Sequence, residues 1–338
     1  MHFVIGHKCM QAFSLCGLPS RLYRLLVLSL LWFTICTFAL AGPSASKVEE
    51  NYKTIGAMLA LPESQIDLAK VKLTIDHMID PSVDVNAYLK QLDTMAAEVR
   101  TRFPANPSSR DKLEALRTYL YQAGPWNGNQ PFAYDMADLN GQNLRGRLLT
   151  NYLSTRKGNC VSMPMLFLIL GRKVGLDLSL SAAPEHYFIK YRDEAGKVYN
   201  LETTSGAGFT RDVWMRQQRP MTDLAIKNGV YMQSATDRQT VLMMSVALLE
   251  FYSHEKREGP RVGLSVMLLQ HSPNFVPAML HWANASLRMR QSEFEGKYPT
   301  PSHIPLELRR RYMELAQENR YWWDKAVSLG WQVPPPGV

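Results

Sequence analysis

The stretch from Arg156 to Gly206 decides the fold. It begins RKGNCVSMPMLFLILGRKVGL (156–176) and continues, after four residues, with SAAPEHYFIKYRDEAGKVYNLETTSG (181–206). An apolar run with the length of a buried helix is followed by two alternating segments, which are joined by the turn-forming DEAG (193–196). The sequence therefore predicts one buried helix packed against antiparallel strands.

A cysteine, Cys160, lies where this helix begins. Gly175 is a suitable residue to end this helix. Asn159 and Ser162 are the two candidates for the N-cap of the helix, and Pro164 favours Ser162 because proline is best tolerated in the first turn. Either cap places the cysteine within a residue or two of the helix N-terminus, where free N–H groups and the helix dipole favour a thiolate. The same N–H groups suit the oxyanion of a tetrahedral intermediate, with the side chain of Asn159 as a further donor.

The two strands supply a histidine and a glutamate. His186 begins the first strand and Glu202 lies near the end of the second. A five-residue turn pairs Tyr191 with Lys197 and sets the histidine opposite the glutamate, whereas a four-residue turn misses by one residue and needs a bulge. In the first pairing the glutamate holds one imidazole nitrogen while the other faces the cysteine. We therefore predict Cys160 as nucleophile, His186 as base and Glu202 as the group that orients the base.

The first 41 residues have the pattern of an export signal. Lys8, Arg21 and Arg24 accompany the apolar run 25–38, and Ala39-Leu40-Ala41 is a small-x-small cleavage site. We expect cleavage after this site and a periplasmic or secreted protein. The alternative is an uncleaved signal that anchors the chain to a membrane, which would be its one membrane contact.

Cleavage would leave Cys160 as the one cysteine of the mature chain, because Cys9, Cys16 and Cys36 all lie in the signal. A single cysteine forms no internal disulfide, so it is either an inert buried side chain or a working thiol. Taken singly, the cysteine, the histidine and the glutamate each fit a structural role. Their occurrence together, at a helix start and on neighbouring strands, favours the working thiol.

Charge and motif content argue against several classes of partner. The chain has a formal net charge of +8, but its basic run Arg309–Arg311 lies among acidic residues in a helical pattern. We therefore expect a solvated helix face and no nucleic-acid site. The Cys and His residues lack metal-ligand spacing and no glycine-rich loop suits a phosphate, so we expect neither a metal nor a cofactor. A metal held by Cys160, His186 and Glu202 is a weak alternative, with one thiolate and no motif.

The flanking regions have patterns of their own. The loop Ala123–Asn143 is expected to wall a cleft. Its aromatic residues Trp126, Phe132 and Tyr134 either line this cleft or pin the loop to the core. In the C-terminal part, PNFVPAMLHWANASLRM (273–289) and YWWDKAVSLGW (321–331) resemble the two helices of a tetratricopeptide unit, although a plain helical cap explains them equally well. We divide the chain into the signal (1–41), an N-terminal helical region packing on the core (42–122), a catalytic core (123–235), a C-terminal helical region that shapes a groove or cap (236–333) and a tail (334–338).

Three of these motifs resemble a known family. RKGNC with its apolar helix, EHYFIKY and VYNLETTSG are similar to the transglutaminase-like superfamily, and within it to the bacterial SirB-type branch. The N-terminal helical part is similar to that branch too. The resemblance implies an α+β fold with a papain-like core, in which the nucleophile helix packs on an antiparallel sheet. It implies Cys160, His186 and Glu202 as the triad, with glutamate where the family more often has aspartate.

From these features we predict an exported enzyme that cleaves or transfers a peptide or carboxamide bond through a thioester on Cys160. Its expected substrate is a protein or peptide, and the acceptor, water or amine, stays open. The alternative is a non-catalytic module that binds a protein partner through the cleft and the C-terminal helices. Titration of the thiol separates the two.

Overall fold

The structure is a computed structural model that describes residues 45–139 and 141–333, all of which belong to one compact unit. The predicted signal and the predicted tail lie outside the described residues. None of the helices that the structure describes has the length and hydropathy needed to cross a membrane. The division of this unit into N-terminal, core and C-terminal regions stays a prediction.

The chain folds mainly into helices around two small sheets. The helices are α1 (Ala45–Ala60), α2 (Leu68–Ile79), α3 (Val85–Arg100), α4 (Ser109–Tyr121), α5 (Leu149–Thr155), α6 (Ser162–Lys173), α7 (Asp212–Gln218), α8 (Asp223–Lys227), α9 (Asp237–His254), α10 (Glu258–His271), α11 (Val276–Arg290) and α12 (Leu306–Ser328). The strands are β1 (Ala133–Tyr134), β2 (Lys157–Gly158), β3 (Asp177–Ala183), β4 (His186–Arg192), β5 (Val198–Glu202) and β6 (Gly208–Thr210). Short 3₁₀ turns lie at Glu63–Gln65, Pro125–Asn127, Leu144–Arg147, Thr203–Ser205 and Pro301–His303, and a π turn at Gln291–Glu295.

Helix α6 is the centre of the core, as its apolar sequence predicts. Its residues from Ser162 to Gly171 are all buried, and it packs on the antiparallel sheet of order β3-β4-β5-β6. Gly171 permits the close approach, because a Cβ there would lie 2.2 Å from Leu178 Cδ1 on β3. The mixed helical and antiparallel architecture confirms the predicted α+β fold, in which the helix that follows Cys160 packs on a sheet.

The predicted register of the β4–β5 hairpin is wrong by two residues. Tyr191 pairs with Tyr199 and not with Lys197. The difference arises in the turn, where Asp193 N–H donates to the Lys197 carbonyl at 3.0 Å and Gly196 has a φ of +80°, so that three residues close the hairpin. A shift by an even number of residues leaves every side chain on its original face.

Buried polar contacts connect helix α2 to the segment before the nucleophile. Lys72 and Asp76 form an ion pair of 2.5 Å that is almost fully buried. Lys72 Nζ also donates to the Arg147 carbonyl at 3.1 Å, and Asp76 accepts from Thr150 N–H at 3.1 Å. Each charge of the pair therefore has further partners, which offsets part of the cost of burying it. These contacts fix the position of Arg147 relative to the core.

The C-terminal helices α11 and α12 pack against each other. The rings of Trp282 and Trp322 lie 4.7 Å apart, and Asn319 Nδ2 donates to the Ala283 carbonyl at 2.8 Å. Helix α12 begins at Leu306, well before the segment 321–331 that the sequence pattern assigns to a helix. The resemblance to a tetratricopeptide unit stays a prediction.

Candidate active site

Helix α6 begins two residues after Cys160 and has Val161 at its N-cap. The prediction of Asn159 or Ser162 as the N-cap is therefore wrong, because these two residues bond to the turn before the helix. Asn159 Oδ1 accepts from Val161 N–H at 2.9 Å and from Ser162 N–H at 3.2 Å. Ser162 Oγ accepts in return from Asn159 N–H at 3.1 Å. These reciprocal contacts hold the turn that carries the half-buried thiol of Cys160.

Gly158, on β2, lies directly beneath this turn. A Cβ at this position would lie 2.6 Å from Tyr152 Cδ2 and 2.7 Å from Ser162 Oγ. We expect Gly158→Ala to lower the free energy of unfolding by about 1–3 kcal/mol, because the ring and the Ser162 hydroxyl must move. Urea denaturation measures this loss. Gly259→Ala is the matched control, since its Cβ would meet nothing within 4 Å, and equal stability of the two variants would contradict the prediction.

The structure brings His186 and Glu202 into direct contact. His186 Nε2 lies 2.8 Å from Glu202 Oε2, and both side chains are buried. The other carboxylate oxygen of Glu202 accepts from Thr204 N–H at 3.0 Å and from Thr204 Oγ1 at 2.6 Å. The carboxylate is therefore fixed on both oxygens, and it orients the imidazole as the sequence predicts.

The charge state of the pair follows from its neighbours. Burial alone would lower the pKa of His186, but the interactions with Cys160 and Glu202 outweigh burial and raise the pKa to about 9. Burial alone would raise the pKa of Glu202, yet the bonds from His186 and Thr204 lower it below its ordinary value. At neutral pH the pair is an imidazolium held by a carboxylate.

The second imidazole nitrogen, Nδ1, is the one left for the cysteine. It is buried and has no hydrogen-bond partner among the described residues, while the Cys160 side chain interacts with the imidazole strongly enough to raise its pKa. Cys160 Sγ itself donates to the Glu185 carbonyl at 3.7 Å. Thiol and imidazole are thus neighbours.

One backbone donor is available at the nucleophile turn. The N–H groups of Asn159, Val161 and Ser162 are used within the turn, and Met163 N–H donates to the Asn159 carbonyl. The N–H of Cys160 has no acceptor within the part of the chain that the structure describes. An oxyanion formed at the thiol therefore meets this donor first. The Asn159 oxygen is committed to the turn, so its amide nitrogen is the part of the side chain that is left to assist.

Cys160 and His186 open into a large cavity of about 1730 Å³. Tyr134, from the loop that was expected to wall a cleft, lines it, but Trp126 does not. The Trp126 indole donates to the Tyr119 carbonyl at 3.2 Å and is covered by the guanidinium of Arg102, 4.4 Å from the ring centroid. These contacts hold the Trp126 ring away from the wall of this cavity.

Residues that the sequence did not single out also line the cavity. Helices α9 to α11 contribute Glu250, Arg261 and His281, and the 3₁₀ turn before α5 contributes Arg147. No local pattern marks them, since they come together only through packing of distant segments. Within residues 45–139 and 141–333, no group of three or more His, Cys, Asp or Glu side chains is arranged to hold a metal ion.

Comparison with known proteins agrees with this geometry. No curated protein matches the chain. Residues 86–245 match the model of the transglutaminase-like superfamily, Transglut_core2. This range contains Cys160, His186 and Glu202 and ends within helix α9. The protein therefore carries a transglutaminase-like superfamily domain over residues 86–245.

Proposed function

We propose that the protein is an exported, thiol-dependent acyl-transfer enzyme of the SirB-type branch, which cleaves or transfers a peptide or carboxamide bond. The observation that carries this proposal is the position of His186 between Cys160 and Glu202, with a 2.8 Å bond on the Glu202 side. One imidazole nitrogen is fixed by a buried carboxylate, and the other is unpartnered next to a thiol. This is the arrangement needed to activate a nucleophile and to protonate a leaving group.

In the proposed reaction Nδ1 of the His186 imidazolium holds the proton that came from the Cys160 thiol, and the Cys160 thiolate attacks the carbonyl carbon. A C–S bond forms, and the carbonyl electron pair becomes an oxyanion that accepts from Cys160 N–H. When the intermediate collapses, the C–N bond breaks and the imidazolium gives its proton to the departing amine. Water or a second amine then attacks the thioester, loses its proton to His186 and regenerates the thiol.

A thiol-directed probe tests this proposal on the folded protein. We expect an alkyne-tagged iodoacetamide to label Cys160 below pH 7 and the Cys160→Ala variant to remain unlabelled, because the imidazolium favours the thiolate. A Cys160→Ala protein exposed to a periplasmic extract should then retain the uncleaved substrate, which mass spectrometry identifies.

A non-catalytic binding module is the second candidate. It is favoured by one observation, which is that the thiol donates to the Glu185 carbonyl. If Cys160 reacts only after denaturation, the thiol is structural and the cavity with its C-terminal helices serves to hold a protein partner. Labelling of the folded protein at low pH contradicts this candidate.

Export has a test of its own. We expect the native protein to begin at Gly42, because cleavage is proposed after Ala39-Leu40-Ala41. N-terminal sequencing of protein isolated from the periplasm measures this directly. A mature chain that still contains Cys36 would contradict cleavage and would make a disulfide to Cys160 a question again.

A further inference from the structure

A charged cluster lies in the same cavity as the nucleophile. We define it as Arg147, Glu250, Arg261 and His281, all of which line the cavity together with Cys160. Three of its members, Glu250, Arg261 and His281, come from helices α9 to α11, and all three lie beyond the end of the matched domain at residue 245. The cavity wall thus combines the transglutaminase-like domain with helices outside it.

The cluster is connected by direct contacts. Arg147 Nη1 lies 3.1 Å from Glu250 Oε1, and each side chain is about a quarter exposed, at 27% and 25%. Arg261 is almost fully buried, at 3%, and its Nε donates to His281 Nδ1 at 2.9 Å. Since Nδ1 accepts this bond, the imidazole carries its proton on Nε2. That N–H has no acceptor among the residues that the structure describes.

The net charge of the cluster is positive. Arg261 also pairs with Glu258, but Glu258 pairs with Arg288 as well, so these two outer charges cancel. Burial lowers the pKa of His281 well below its ordinary value, and the neighbouring arginines lower it further, so the imidazole is neutral. Burial likewise raises the pKa of Glu250 against the pull of Arg147. The cluster therefore contains the guanidinium groups of Arg147 and Arg261 and the N–H donor of His281. Its one carboxylate is Glu250, whose charged form is disfavoured by burial.

The cluster is close enough to the nucleophile to belong to the same site. Tyr187, the residue after His186, lines the cavity together with Cys160, Arg147 and Glu250. Its hydroxyl donates to the Met243 carbonyl of α9 at 3.5 Å. Ser181, on the same wall, is 1% exposed and its hydroxyl has no partner among the described residues. The cavity exceeds the roughly 300–1,000 Å³ of a drug-sized pocket, which leaves room for several residues of a peptide.

We propose that Arg147, Arg261 and His281 form a subsite that binds a carboxylate of the peptide substrate while its scissile carbonyl lies at Cys160. This inference rests on the proposed function and adds the class of substrate to it. Guanidinium groups bind carboxylates with paired N–H donors, and they do so best where water is excluded, as at Arg261. Glu250 holds Arg147 in place when the subsite is empty and competes with the ligand for it.

The test uses two pairs of iodoacetyl peptides that alkylate Cys160. One pair differs in a side-chain carboxylate, as iodoacetyl-(Ala)n-Glu amide against the Gln amide, with n from zero to about three. The other differs in the C-terminal group, as iodoacetyl-(Ala)n acid against its amide. In one of the two pairs, we expect the acid probe to reach half-saturation of labelling at a concentration roughly tenfold lower than the concentration that the amide probe requires. The pair that shows this difference identifies whether the carboxylate is a side chain or a C-terminus.

Three variants make the test specific. Arg147→Gln should abolish the preference for the acid, and Glu250→Gln should increase it, because a competing charge is removed. Arg216→Gln removes an equal charge from an ion pair with Asp223 that lies outside this cavity. This control should leave the preference for the acid probe unchanged. If Arg147→Gln does not fold, the effect of Glu250→Gln on the preference for the acid probe still tests the proposal. A Glu250→Gln protein that loses the preference, or a preference for lysine-containing probes, would overturn the proposal.

The outcomes also separate this inference from the proposed function. If the wild type labels acid and amide probes equally, the subsite is wrong and the nucleophile stands. If no probe labels the folded protein, calorimetry on Cys160→Ala with the acetylated acid and amide peptides decides the subsite alone. A preference for the acid there supports the carboxylate subsite without the chemistry. If the acid and amide peptides bind equally, or if neither binds, both the carboxylate subsite and the proposed function are contradicted.

Discussion

Replacing His186 by alanine is expected to slow the alkylation of Cys160 by iodoacetamide at pH 6 by about ten- to a hundredfold. An ordinary thiol with a pKa of about 8.5 is less than about 1% thiolate at this pH. The imidazolium of His186, with its pKa raised to about 9, favours the thiolate in the wild type. The gain in rate is smaller than the gain in thiolate, because a less basic thiolate is a weaker nucleophile.

The measurement is the second-order alkylation rate between about pH 5 and pH 10, with His254→Ala as control. His254 is exposed, pairs with Glu255 and does not line the cavity, so its loss should change nothing. Turnover should behave differently from alkylation at high pH. Because the raised pKa keeps His186 protonated up to about pH 9, turnover should fall above this pH as the proton for the leaving amine is lost, while alkylation continues. If the wild type and His186→Ala show the same dependence of alkylation rate on pH, the proposal that the protein is a thiol-dependent enzyme is contradicted.

The nucleophile helix was predictable because its signals are local. An apolar run and a glycine just past its end specify α6, and they place Cys160 within two residues of its first turn. The contact between His186 and Glu202 was predicted through a wrong register. It survives because the error is two residues, and an even shift keeps both side chains on one face of the sheet.

The rest of the cavity depends on contacts between distant segments. Trp126 and Tyr134 come from one loop and are both aromatic, yet the stacking of Arg102 holds only Trp126 away from the cavity. Arg147 and Glu250 are about a hundred residues apart and meet because Lys72 and Asp76 position the turn before α5. The periodicity and the motifs of a single sequence do not indicate which distant residues line the cavity, because those contacts arise from how the helices pack.

Replacing Glu202 by glutamine is expected to lower turnover by about 10²–10⁴-fold, although the two side chains have the same shape. The reason is Thr204, whose N–H donates to one oxygen of the Glu202 carboxylate at 3.0 Å. In glutamine this N–H holds the amide oxygen, so the NH₂ group must face His186 Nε2. The imidazole then has to carry its proton on Nδ1, the nitrogen that should take the proton of Cys160.

Thr204→Ala is the matched control. It removes the Thr204 hydroxyl, whose bond to Glu202 is 2.6 Å, but it keeps the carboxylate and the backbone N–H. We expect its turnover to stay within about tenfold of the wild type, because the tautomer of the imidazole is unchanged. If Glu202→Gln turns over as fast as Thr204→Ala, the carboxylate does not set the tautomer.

The stability of Glu202→Gln should depend on pH in a way that reports the same pair. The pKa of Glu202 is lowered, so its contribution to stability is present above its ordinary value of 4.5 and is lost as the pH falls. The pKa of His186 is raised, so its contribution is complete below 6.5 and is lost as the pH rises toward about 9. The loss of unfolding free energy in the variant, about 1–3 kcal/mol for a buried charged hydrogen bond, should therefore be largest between pH 4.5 and pH 6.5. Urea denaturation across this range measures it, and a loss that does not vary with pH would show that the two groups are not charged together.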